Sequence, residues 1–186
     1  MTRKTYAELQ TALADNNTGN ITPADLRDFL DSVSVQRARL WDSDTFNFSI
    51  TQADTYVPLV MQAGVDDIVN STDMTISQAG VVTLGQVGLV DFVYYLELDV
   101  GNLANRVEIS SQLWASEDGV NWIIASGEDY FTKRGGISTA TLRLSAEHFV
   151  GNVPNYIQPR IMCSEVITVP IRTSYITAKT NVITQT

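Results

Sequence analysis

His148, in Ala146-Glu147-His148-Phe149, is the single imidazole of the chain, and Cys163 is its single thiol. One histidine and one cysteine cannot assemble a zinc site, and Cys163 has no partner for an internal disulfide, so it reads as a small core residue. No G-x-S-x-G nucleophile elbow and no glycine-rich phosphate cradle is present. Paired carboxylates could hydrolyse a glycoside, but Asp66-Asp67 and Glu128-Asp129 stand where loop acids are ordinary. The loop Asp15-Asn16-Asn17-Thr18-Gly19-Asn20 departs from a calcium loop, with glycine at the fifth position and Leu26 where the closing Glu belongs. The expectation is a protein with no catalytic residue, no metal and no cofactor.

Binding is better represented. In Ser116-Glu117-Asp118-Gly119-Val120-Asn121-Trp122, Asp118-Gly119 predicts a two-residue hairpin turn with Trp122 on the returning strand. Trp122 either packs or stacks on a sugar, and the motif resembles the S-x-D-G-x-x-W hairpin of discoidin-like glycan-binding sandwiches. Lys133-Arg134-Gly135-Gly136 predicts an exposed turn, a solvated tip or a cationic contact for an acidic neighbour or an anionic surface polysaccharide.

Net charge narrows the partners. At −9 with twelve scattered Lys and Arg, the chain is unsuited to a phosphate backbone, so no nucleic acid is expected. No apolar run reaches the roughly 18–20 residues of a membrane span, and Met1–Tyr6 leads into a polar helix rather than a signal-peptide core. The expectation is therefore assembly in a cytoplasm, without membrane insertion. The sequons at Asn16, Asn20, Asn47 and Asn70 then read as unmodified.

Two helical patterns open the chain. Thr5-Tyr6-Ala7-Glu8 is a capping box, and Tyr6, Leu9 and Leu13 make a narrow stripe behind it. Thr22 caps a second helix with Pro23 in its first turn and Asp25 reaching back. Leu26, Phe29, Leu30 and Val33 recur there at i, i+3, i+4 and i+7, opposite Arg27, Asp28 and Asp31. The stripes pack either on the chain's own body or, as an attachment segment, on sister chains or a larger partner. The segment Ile21–Val33 resembles the I-T-x-x-D-L/V-R-D-x-x-D-S stretch near the N-terminus of tailed-bacteriophage fibre and decoration proteins. That resemblance implies a virion protein held by a helical N-terminus ahead of a β-rich body, with capsid or tail proteins as partners.

Residues 35–45, with Arg37, Arg39, Leu40 and Trp41, carry no cap or sustained period and read as a linker or a helix extension. Beyond them the period becomes two. Phe46, Phe48 and Ile50, then Met74 and Ile76, then Phe92, Tyr94, Leu96, Leu98 and Val100 alternate with other residues. Further strands are expected at 56–61, 81–84, 107–115, 121–125, 139–144, 157–165 and 169–178.

This pattern predicts a mainly β, antiparallel sandwich, and its long connections 125–138 and 145–156 favour a jelly roll over an immunoglobulin-like order. The stretch from Gly88 to Lys179 resembles the trimeric jelly rolls of the tumour-necrosis-factor and C1q type, which implies a homotrimer. The expected organisation is a helical hairpin at 1–34, a linker at 35–45 and a sandwich at 46–186. The functional expectation is a structural virion component, head decoration, head fibre or tail fibre, with Tyr94, Tyr95, Tyr156, Tyr175 and Ile176 as subunit-contact candidates. A carbohydrate-binding adhesin is the alternative, and a small polysaccharide hydrolase comes third.

Overall fold

Alternating side chains in one long strand decide how this chain folds. In β7 (Gly88–Asp99), Val90, Phe92, Tyr94, Leu96 and Leu98 are fully buried while Leu89, Asp91, Val93, Tyr95, Glu97 and Asp99 face outward. A computed structural model describes residues 37–180 apart from 43–44, 61–66, 72, 78 and 86. The stripe residues Leu9, Leu13, Leu26, Phe29, Leu30 and Val33, and with them the helical hairpin at 1–34, lie outside the described residues.

The strands before β7 are β1 (Arg37–Asp42), β2 (Phe46–Ile50), β3 (Val57–Pro58), β4 (Asp67–Val69), β5 (Met74–Ile76) and β6 (Val82–Leu84). After it come β8 (Glu108–Ser116), β9 (Ile123–Thr132), β10 (Thr139–Val150), β11 (Asn155–Cys163) and β12 (Ile167–Thr180). They make two antiparallel sheets. The first runs β10-β7-β12-β1-β4, with β2 beside the start of β12, and the second runs β5-β6-β11-β8-β9, with β3 against β11. The inner faces close on Leu40, Phe92, Tyr94, Leu96, Leu142 and Ile176 from the first sheet, and on Leu84, Ile109, Leu113, Ile157 and Ile161 from the second. Burying each large side chain contributes about 1.5–3 kcal/mol. The expected antiparallel sandwich is observed.

Several expectations need correction. Arg37–Asp42, read as linker, is a strand zipped to β12 from Arg37↔Lys179 to Asp42↔Ser174. Among its described side chains only Ala38 and Leu40 turn inward, between flanking arginines, too short an alternation to read unaided. The two long connections are also largely strand: β9 extends to Thr132 and β10 to Val150, leaving a four-residue turn before β11. No residue of β9 is fully buried, so its sequence lacks the alternation that marks a strand. Glu128 and Asp129 accordingly sit on that edge strand, not in a loop. Tyr94 and Ile176, expected in a subunit contact, are inside the core.

Tyr94, fully buried in the core, has an unmet polar need. Its hydroxyl is buried without a hydrogen-bond partner, and burial pushes the phenol well above its usual range. A buried unpaired hydroxyl costs about 1–3 kcal/mol. Tyr94→Phe is therefore expected to raise stability by about 1 kcal/mol, seen as a higher urea midpoint at unchanged slope; a lower midpoint would show that the hydroxyl has a partner in solution.

Candidate interaction face

The outward row of the first sheet is where the fold exposes what it does not need for its core. Pairing sets Arg143 opposite Tyr95, Tyr95 opposite Tyr175 and Tyr175 opposite Trp41, one side chain from each of β10, β7, β12 and β1. Val93 and Thr177 stand in the next row, opposite one another. With Arg39, Val93 and Thr173, the row of Arg143, Tyr95, Tyr175 and Trp41 lines a shallow groove of about 530 Å³. Trp41 is 44% exposed, and Tyr95 and Tyr175 are half-buried. The Tyr95 hydroxyl donates to Glu97 Oε2 at 3.3 Å, leaving the ring surface toward the groove's apolar lining.

An exposed aromatic side chain stands at the sandwich edge. Tyr130 on β9 is 71% exposed, and beside it Asp129 Oδ2 accepts the N–H of Arg143 at 2.5 Å, tying the two sheets together. Arg143 belongs to the Tyr95–Tyr175–Trp41 row, and it is its backbone N–H that Asp129 takes.

The other sequence candidates are occupied by the chain itself. Arg160 lies over Trp114 at 4.5 Å and over Trp122 at 5.1 Å, held between two indoles, and Trp122 Nε1 donates to Gly119 O at 3.2 Å. Trp122 thus has one face and its N–H engaged, the packing role rather than an open platform. Tyr56 joins this cluster by donating to Glu128 Oε1 at 2.6 Å, and its phenol is pushed up to about 12, first by burial and then by that bond. Lys133, expected on an exposed turn beside Arg134, is 4% exposed. Its ammonium donates to the Ile137 carbonyl and its backbone pairs with Val107 and Arg106, while Arg134 remains exposed. The long stem of a lysine allows this: the methylenes pack and the charged end finds a carbonyl.

The Asp118-Gly119 turn is not the two-residue hairpin expected. Residues 117–122 form the connection, and only Gly119 has a positive φ, 73°. Asp118 organises it: Oδ1 accepts the N–H groups of Val120 at 2.8 Å and Asn121 at 2.7 Å, and Oδ2 accepts Asn121 Nδ2 at 2.6 Å. These bonds hold the carboxyl well below the usual carboxylate range. Cys163 is buried and free, its thiol pushed up by burial. Among the described residues no three His, Cys, Asp or Glu side chains are grouped to hold a metal ion.

No protein-family model matches the chain, and no curated protein matches it. Solved structures do. The structure of Eiger TNF from S. frugiperda superposes with a TM-score of 0.54 at 10% identity, over 82% of this chain and 96% of that one. The globular domain of zebrafish complement 1qA protein gives 0.51 at 11% identity, over 80% and 98%. Murine APRIL, from its pH 5.0 crystal structure, gives 0.55 at 6% identity, over 80% and 100%. At such identities the likeness is one of fold, and the described chain is an antiparallel sandwich of the jelly-roll type seen in tumour necrosis factor and C1q domains.

Proposed function

We propose that this chain is a structural protein of a tailed-phage virion, a head decoration, head fibre or tail-fibre component whose β body is a homotrimer. The observation that carries the oligomer is the aromatic row on the first sheet, Trp41, Tyr95 and Tyr175, with a further exposed ring, Tyr130, at the sandwich edge. Two unlike apolar surfaces on one subunit join heterologously, face of one copy to edge of the next. Such contacts climb into a filament when the two surfaces are offset along the rotation axis. They close into a ring when the rotation between neighbours is a whole fraction of a turn, and the jelly-roll likeness supports three subunits. Burial of aromatic rings in the ring's centre supplies the association energy that a face of polar residues would not.

Attachment rests on the resemblance of Ile21–Val33 to the N-terminal stretch of phage fibre and decoration proteins. In this reading Leu26, Phe29, Leu30 and Val33 meet capsid or tail proteins in the assembled particle, and the body projects from it. This reading gives the chain no catalytic role, and it is supported by Glu128 accepting from Tyr56, Asp129 from the Arg143 N–H and Asp118 from its own loop.

Tyr175→Asp places a charge in the proposed subunit contact while leaving the inward row untouched, so it is expected to elute as a folded monomer where the parent elutes as the trimer. An unchanged elution volume would remove this face from the interface. Leu26→Asp in the full-length chain should keep the trimer's elution volume yet fail to enter particles. Normal incorporation would end the attachment reading.

A further inference from the structure

Beyond the aromatic row, the outward face of the first sheet carries a row of charges. Pairing sets Glu147 on β10 opposite Asp91 on β7, Asp91 opposite Lys179 on β12, and Lys179 opposite Arg37 on β1. Glu147, Lys179 and Arg37 are exposed, and Asp91 is half-buried. The signs run acid, acid, base, base. Asp91 stands roughly 13 Å along β7 from Tyr95 of the aromatic row.

That order is unfavourable within one chain. Like charges directly opposite one another destabilise a strand pair, and here Glu147 faces Asp91 and Lys179 faces Arg37. Among the described residues no ion pair holds any of these four side chains, whereas Arg172 and Asp99, at the end of β7, are paired at 2.7 Å. The division continues along the strands, where Glu97 adds an acid to β7 and Arg39 a base to β1. Arg143 departs from it, on β10 at the level of the aromatic row. The face is thus polarised across its width, negative on β10 and β7 and positive on β12 and β1.

A head-to-tail joint has a direction of the same kind. β10 borders the edge strand β9, to which its Arg143 N–H is bonded through Asp129, so an edge laid on the next copy brings Glu147 with it. The half of the receiving face remote from its own edge is β12 and β1, where Lys179 and Arg37 stand. We infer that the acidic half of this row in one copy meets the basic half in the next, and that these charges fix the direction in which copies join around the ring. The inference rests on the trimer proposed above and names what its contact recognises, a second copy of this chain presenting the opposite charge. Each like-charged pair then gains neighbours of opposite sign, which offsets its cost within the chain.

Glu147 and Arg37 separate this contact from effects inside one copy. They lie three strand spacings apart, roughly 14 Å, too far for an ion pair in one chain. Within a chain, Glu147→Lys and Arg37→Glu each turn a like-charged pairing into an opposite one at an exposed position. Between copies, each sets like charge against like. Subunit exchange between tagged and untagged full-length trimers, followed by mass spectrometry in about 0.1 M salt, tests the inference. Each single variant is expected to exchange about tenfold faster than the wild type, or to fall to the chain mass, and the variant carrying both substitutions to return to a trimer exchanging within about threefold of the wild-type rate. Wild-type exchange by both single variants, or a double variant at least as fast as the singles, would overturn the inference and leave the trimer standing, with the row facing solvent or another protein. A wild-type protein at the chain mass would remove the trimer and the inference together.

Discussion

The register of β7 between β10 and β12 is the constraint on which the rest of the molecule depends. Strand side chains alternate with a period of two, so moving β7 by one residue would expose Phe92, Tyr94, Leu96 and Leu98 and bury Asp91, Tyr95 and Glu97. Burial of four large side chains against the charge of two carboxylates rules out a shift of one residue. Once β7 is set, its partners are set residue by residue, and the outer row of Arg143, Tyr95, Tyr175 and Trp41 follows without further choice. The surface that the proposed assembly uses is the reverse side of the core. The bulge between Ile171 and Thr173 belongs to the same scheme: it places Arg172 against Asp99 at 2.7 Å, at the end of β7 where the alternation stops.

Where core burial dictates the pattern, it was legible from residues alone. Phe46–Ile50, Met74–Ile76 and the alternation from Phe92 to Val100 all stand where their periodicity puts them. Legibility failed where side chains do not face the core. The edge strand β9 buries none of its residues, the strand β1 buries only Ala38 and Leu40 among its described side chains, and the later half of β10 turns inward with Ala146 and His148. In the face, the sequence pointed to Tyr95 and Tyr175 but paired them with Tyr94 and Ile176, their neighbours of opposite parity. Counting parity along β7 and β12 would have separated the two sets. Trp41 escaped because its strand did.

The charged row of the same face was less legible still. Glu147 and Arg37 were visible as single charges, yet what matters is their register with Asp91 and Lys179, which pairing across four strands sets. Lys133 misled for the opposite reason. Lysine favours surfaces, and this one is drawn in across a turn by the Ile137 carbonyl. The core of a sandwich is written in local periodicity, while its polar sites depend on contacts that no window of sequence contains.

The proposed sheet face and edge close copies of the chain into a ring. Sedimentation equilibrium of the wild-type protein across a hundredfold concentration range measures this directly. The account predicts a single species of three times the 20.5 kDa chain mass at every loading. A species at the chain mass throughout, or a mass that rises without limit as concentration increases, would contradict it.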